Sequence, residues 1–241
     1  MLAATVGLGA PGWAAGFVYS FGLSVLTCQA MHTARRTALG PADRVTLARA
    51  MLTGCVAALT ADALLHETPS GVLVAIAIVA LALDAVDGRV ARHTGTTSAF
   101  GARFDMETDA FLILVLSVYA ARSVGLWVLS IGAMRYAYVA ASWALPWLRG
   151  QLFPRYWRKV VAAIQGIALT VAAADVLAQP LTVTVLAVAL VLLTESFGRD
   201  VVWLWHRRAA PAHAGRPAPG TRPRPAQAAP GPARHSRRAR A

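Results

Sequence analysis

Long apolar stretches, repeated along most of the chain, constrain its fold more than any other feature. A membrane-spanning helix needs about 20 mostly apolar residues. The stretches of roughly that length are 2–31, 45–65, 71–90, 104–121, 126–147, 160–177 and 181–204. Only 14% of the residues are charged, whereas a soluble domain has about 25%. The pattern predicts an all-α, polytopic membrane bundle, in which the first stretch, although interrupted at Pro11, is an additional helix rather than a cleaved signal peptide.

The distribution of basic residues predicts the orientation of this bundle. Arginine and lysine accumulate in the cytoplasmic loops of membrane proteins. Here they follow the first and last stretches and separate the third from the fourth and the fifth from the sixth, whereas the alternate connections hold just Arg122. We therefore expect a multi-pass protein of the cell membrane with its N-terminus outside and its C-terminus inside.

The C-terminal segment differs in composition from the rest of the chain. From His206 onward it has nine arginines, no acidic residue and seven of the thirteen prolines. Such a segment cannot bury a core and is typical of disorder. It lacks aromatic residues, so we expect no nucleic-acid partner; a solvated extension and attraction to anionic lipid headgroups both stay open. The expected parts are an additional hydrophobic segment (1–36), a membrane domain (37–205) and a basic tail (206–241).

Acidic residues are concentrated in one part of the apolar sequence. Asp84 and Asp87 lie three apart at the end of one predicted helix, and Asp105 and Asp109 lie four apart at the start of the next. Both spacings place two carboxylates on one helical face. Clustered charges at a bilayer are costly, so a divalent cation is the natural compensation, and ligands that are all oxygen favour Mg²⁺ or Mn²⁺ over zinc. The alternative is that these acids pair with the arginines of the same loop.

The residues around the aspartates form a longer pattern. The segment has the form Asp84-x-x-Asp87-Gly88-x-x-Ala91-Arg92, then eight residues, then Gly101-x-x-x-Asp105-x-x-x-Asp109. It resembles the signature of the CDP-alcohol phosphatidyltransferases at every defined position. The resemblance implies a six-helix core and a membrane enzyme of phospholipid biosynthesis. Such an enzyme moves a phosphatidyl group from CDP-diacylglycerol to an alcohol and releases CMP at the cytoplasmic face.

The resemblance also implies a role for each position. The metal ligands, for a pair of ions that binds the diphosphate, would be Asp84, Asp87, Asp105 and Asp109. Asp109 would also take the proton from the attacking alcohol. Small residues would allow close approach of the nucleotide, and an arginine would bind phosphate oxygens. These nucleotide-side positions would be Gly88, Ala91, Arg92 and Gly101.

A shorter match lies upstream. Many family members begin their core with Asn-x-x-Thr-x-x-Arg, and this chain has Asp43-x-x-Thr46-x-x-Arg49. The resemblance makes Thr46 and Arg49 nucleotide contacts, while a capped helix start with a snorkelling arginine is the alternative. Glu107 lies about 200° around the helix from Asp105, and we expect it outside the site.

Three basic residues are candidates for binding the acceptor alcohol. Arg158 and Lys159 lie at the start of the sixth stretch, just before its first apolar residue; the alternative is that they only mark a cytoplasmic loop. Arg135 lies within an apolar stretch, where a charge indicates function by default. Lys159 with Gln165 also resembles a pair in bacterial-type phosphatidylglycerophosphate synthases, so we expect glycerol 3-phosphate as the acceptor. Other positions depart from that subgroup, which leaves inositol phosphate or another polar alcohol open.

Two other protein classes share parts of this pattern. Intramembrane prenyltransferases bind Mg²⁺ and diphosphate through aspartate pairs, but on well-separated loops. Ion transporters keep their acids near the bilayer midplane, often on broken helices. Here four aspartates lie within 26 residues at one end of two predicted helices, which favours the phosphatidyltransferase. Because members of that family are often homodimers, the resemblance also implies a homodimer.

Overall fold

The computed structural model describes residues 7–33, 41–94, 99–150 and 156–208. Within these ranges, the structure describes only the backbone of residues 30–31, 33, 41–43, 85–94, 99–100, 102–103 and 156. The described chain forms seven α-helices and no strand. The helices are α1 (Ala10–Thr33), α2 (Pro41–Ala63), α3 (Ser70–Thr94), α4 (Ala99–Val124), α5 (Leu129–Ala144), α6 (Tyr156–Ala174) and α7 (Gln179–Arg208). This confirms the predicted all-α bundle.

The apolar character of the helices fits a membrane environment. In the described part of the chain, three helices are long and apolar enough to cross a membrane, over Arg44–Ala63, Trp157–Ala174 and Gln179–Arg208, and Ser70–Asp84 is a shorter apolar helix. Large apolar side chains also cover the outside of the bundle: Phe17, Phe21 and Val191 are each at least 66% exposed. An outer surface of this kind is stable in lipid rather than in water.

Helix α4 lies at the centre of the bundle. It packs against α2, α5 and α6, with smaller contacts to α7, while α1 packs on α2 at the periphery. The core between these helices is made of fully buried apolar side chains such as Leu59, Leu116, Leu169 and Leu186. The first half of α4 is thereby held against α2.

The apolar stretch 126–147 is less regular than its composition suggests. Instead of one continuous helix it forms α5 between two short 3₁₀ turns, Leu126–Val128 and Pro146–Arg149. The break follows from Pro146, because a residue before proline is driven out of the helical region, and Leu145 has φ −120° and ψ 86°.

Candidate active site

Three of the four signature aspartates meet where the second half of α3 lies near the first half of α4. Asp84 lies on α3, and Asp105 and Asp109 lie one turn apart on α4. One carboxylate oxygen from each lies within 4.8 Å of the other two. Their side chains are between 36% and 44% exposed, so a ligand can reach them. We call these three residues the aspartate cluster; the side chain of Asp87 lies outside the described residues.

A buried arginine occupies the centre of the aspartate cluster. The side chain of Arg49, on α2, is 1% exposed and donates hydrogen bonds to the carboxylates of Asp84 and Asp105. Its Nη1 lies 3.0 Å from Oδ1 of Asp109, and its Nη2 lies 3.4 Å from the carbonyl oxygen of Asp105. Arg49 therefore joins α2 to both α3 and α4 through charge-assisted hydrogen bonds, which are the stronger kind.

The aspartate cluster carries more negative charge than Arg49 neutralises. Three ionised carboxylates around one guanidinium leave an excess of two negative charges. In a partly desolvated site such an excess is costly, and a bound cation lowers that cost. Octahedral Mg²⁺ binds oxygen at about 2.1 Å, which places neighbouring ligand oxygens about 3 Å apart and opposite ones about 4 Å apart. The three carboxylates, with one oxygen of each within 4.8 Å of the others, are close enough to converge on a divalent ion after small side-chain movements, and their all-oxygen chemistry suits one.

The residues expected on the nucleotide side are placed as follows. Thr46 is buried on α2, one turn before Arg49, and Gly101 is half-buried on α4, one turn before Asp105. The others belong to the last turns of α3, but their side chains lie outside the described residues. These are Gly88, Ala91 and Arg92. Two of the predicted contacts therefore line the same helix ends as the aspartate cluster.

The three basic residues expected at the acceptor side have different surroundings. Arg135, on α5, donates a hydrogen bond to Glu107, whose side chain is 55% exposed and belongs to none of the carboxylate groups close enough to share a metal ion. Arg158, on α6, has its Nη1 3.2 Å from Oδ2 of Asp200 on α7. Lys159 is exposed, lies within electrostatic range of Asp105 and has no ion pair among the described residues.

Two contacts were not visible in the sequence. The sequence placed Arg49 beside the nucleotide, but gave no sign that it contacts three aspartates from two other helices. Asp200 is buried and lies 42 residues from its partner Arg158, so no local motif links them. The one available signal was the presence of a charge inside an apolar stretch, which indicates a partner or a function.

Comparison with known proteins gives one result. A family model described as CDP-alcohol phosphatidyltransferase matches residues 40–195, which is well over half of the chain. The match includes α2 to α6 and about half of α7, the four signature aspartates and Arg49, whereas α1 lies outside it. No curated protein and no solved structure matches the sequence.

Proposed function

The chain belongs to the CDP-alcohol phosphatidyltransferase family, and from that premise we propose that it transfers a phosphatidyl group from CDP-diacylglycerol to a polar alcohol, with release of CMP. The observation that carries the proposal is the convergence of Asp84, Asp105 and Asp109 around Arg49. This arrangement joins anionic metal ligands to a cationic phosphate-binding group. A diphosphate substrate requires both.

The aspartate cluster, with Asp87 on the same helix as Asp84, is proposed to hold Mg²⁺ or Mn²⁺. Family members generally depend on divalent metals, and three carboxylates of this chain are spaced to bind one. We propose two ions, because the diphosphate has two phosphoryl groups whose charge must be neutralised. Bound ions of this kind neutralise the diphosphate and stabilise the leaving CMP.

Arg49 is proposed to bind the diphosphate oxygens. Guanidinium donors match two phosphate oxygens at once, and this guanidinium lies among the carboxylates that the diphosphate must approach. Because the side chain is 1% exposed and bonded to the carboxylates, this role requires the aspartates to move aside when the diphosphate binds. Thr46 and Gly101, together with Gly88, Ala91 and Arg92, are proposed to border the nucleotide.

Asp109 is proposed as the general base. Its carboxylate lies 3.0 Å from Nη1 of Arg49, beside the proposed diphosphate position, and it is partly exposed. The acceptor hydroxyl transfers its proton to Asp109 while its oxygen attacks the phosphorus that bears diacylglycerol. The bond from that phosphorus to the CMP oxygen breaks, and CMP leaves with the bonding electrons.

Lys159 is proposed to select an acceptor that carries a phosphate, with glycerol 3-phosphate as the substrate. It is exposed and lies within electrostatic range of Asp105, whereas Arg158 and Arg135 are engaged by Asp200 and Glu107. Arg158 and Arg135 are therefore proposed to line the acceptor site, with Lys159 as the main group that binds the acceptor phosphate. An ammonium group pairs with a phosphate more readily than with a neutral polyol.

The location and assembly of the enzyme are proposed from the same features. The sequence around the end of α3 and the start of α4, and that just before α6, is rich in arginine, which favours a cytoplasmic active site in the cell membrane. Homodimer formation and the division into 1–36, 37–205 and 206–241 stay predictions.

The reaction is tested with purified full-length protein and radiolabelled CDP-diacylglycerol. We expect CMP release that requires Mg²⁺ or Mn²⁺, with phosphatidylglycerophosphate as the product from glycerol 3-phosphate. Inositol phosphate and glycerol serve as alternative acceptors. Release of pyrophosphate from a prenyl diphosphate would instead support a prenyltransferase, and absence of both reactions would favour transport.

The acceptor is tested by Lys159→Ala. We expect a higher KM for glycerol 3-phosphate and little change in KM for CDP-diacylglycerol, because the ammonium group contacts the acceptor phosphate alone. An unchanged acceptor KM, or reaction with another alcohol when glycerol 3-phosphate gives no product, would reject this acceptor.

A further inference from the structure

Helix α1 lies outside the segment that matches the family, yet it packs closely on α2. At one end, the backbone N–H of Gly9 donates to Oδ1 of Asp62 at 3.0 Å. Three residues further on, a Cβ added at Gly12 would lie 3.0 Å from the carbonyl oxygen of Ala58. Helices approach this closely through small residues. Helix α1 is therefore fixed against the helix that carries Arg49.

The same helix face brings Tyr19 onto the backbone of α2. A Cβ added at Gly54 would overlap Cδ1 of the Tyr19 ring and lie 2.6 Å from its Cε1. No side chain larger than hydrogen fits at position 54 unless the ring moves. Tyr19 thus lies in a notch of α2, and that notch is five residues beyond Arg49 in sequence.

The ring of Tyr19 also contacts α4. It stacks on Phe111 with ring centroids 5.3 Å apart and an angle of 21° between the planes. Phe111 follows Asp109 on α4 but lies about 200° around the helix from it, so this contact bears on the position of α4 rather than on the aspartate itself. Tyr19 also lies within electrostatic range of Arg49. One side chain from α1 therefore contacts the helix that carries Arg49 and the helix that carries two of its aspartate partners.

We propose that Tyr19 is a positioning residue for phosphatidyl transfer. Its ring, held between Gly54 and Phe111, sets the separation of α2 and α4 and thereby the position of Arg49 relative to Asp105 and Asp109. This inference rests on the proposed function. It assigns to α1 a positioning part in catalysis.

The charged residues of the site are divided among different helices. Asp105 and Asp109 share α4, so their spacing is fixed within one helix. Arg49 is on another helix, and its position relative to them depends on packing between α2 and α4. A displacement of about 1 Å in a reacting site can cost about a hundredfold in rate. A rigid aromatic ring stacked at this contact is well suited to prevent such a displacement.

The experiment compares Tyr19→Ala, Tyr19→Phe and the control Phe17→Ala in the full-length protein. Phe17 is on the same helix but is 66% exposed and stacks on Trp13 instead of α4. For Tyr19→Ala we expect kcat to fall by about tenfold to a hundredfold and Mn²⁺ affinity, measured by electron paramagnetic resonance without substrate, to weaken. Tyr19→Phe keeps the ring and should restore both, and Phe17→Ala should match the wild type.

Several outcomes would overturn the inference. They are wild-type kcat and Mn²⁺ affinity in Tyr19→Ala, failure of Tyr19→Phe to restore function, or an equal loss in Phe17→Ala. If Tyr19→Ala does not purify as folded protein, Tyr19→Leu, which keeps apolar volume but has no ring, carries the same expectation. Wild-type protein that releases no CMP would contradict the proposed function, and the Mn²⁺ measurement would still decide the role of Tyr19.

Discussion

The aspartates near the two ends of α2 differ in their exposure and in their hydrogen-bond partners. Near one end, Asp84, Asp105 and Asp109 share Arg49, are partly exposed and retain an excess negative charge. Near the other end, the side chain of Asp62 is 2% exposed and accepts a hydrogen bond from the backbone of Gly9, and His66 Nδ1 lies 3.2 Å from the same oxygen. A buried acid whose acceptors are satisfied within the protein stabilises the fold. An accessible group of acids with surplus charge is available for a ligand.

The comparison is tested most strongly by Asp109→Asn. Asparagine keeps the size and polarity of the side chain but cannot take up the proton, so we expect CMP release to fall by about 10²–10⁴-fold. Membrane insertion and yield should stay at wild-type levels. Near-normal turnover in detergent would show that Asp109 is not the base.

A smaller effect, on the stability of the fold, is expected from Arg49→Ala. Removal of the guanidinium leaves three carboxylates to repel one another. We expect the free energy of unfolding to drop by up to about 3 kcal/mol. This is the lower end of the range for a broken buried ion pair, because these carboxylates are partly exposed. Added Mg²⁺ or Mn²⁺ should restore part of the lost stability, since either ion supplies the missing positive charge.

The measurement for Arg49→Ala is the thermal midpoint with and without the metal. The shift on adding metal should be larger in the variant than in the wild type. Equal shifts would show that Arg49 and the metal do not compensate the same charges.

Asp62→Asn is the matched substitution at the other end of α2. The amide oxygen still accepts from Gly9, but the charge is lost, so we expect the free energy of unfolding to drop by about 1 kcal/mol. Turnover per folded enzyme should be close to the wild-type value. A loss of turnover as large as that of Asp109→Asn would mean that the two ends are not functionally distinct.

The smallest effect is expected from Glu107→Gln. Glu107 lies between two aspartates of the cluster in sequence, but its side chain is exposed and pairs with Arg135 on α5. An exposed ion pair contributes little to stability, so activity and the thermal midpoint should change little. A severe loss of CMP release would place Glu107 within the site.

Much of this architecture could be predicted from the sequence because it depends on local periodicity. Apolar stretches of span length indicated the helices, and the spacing of Asp105 and Asp109 is enough to put them on one face. The contact between Arg49 and three acids could not be predicted in the same way, since it depends on how α2, α3 and α4 pack. Pro146 is present in the sequence, but the apolar residues around it made 126–147 look like one continuous span in the hydropathy pattern.

Arg49 and its three acidic partners lie on three consecutive helices, and this order bears on how the chain enters a membrane. During synthesis α2 emerges first with its cation, and α3 and α4 follow with the acids. Arg49 is therefore available to pair with the acids when α3 and α4 are made, and such pairing lowers the cost of inserting a charge. The charged residues that make these helices unfavourable in lipid as separate segments can partly compensate one another as soon as α4 is made, before α5, α6 and α7 exist.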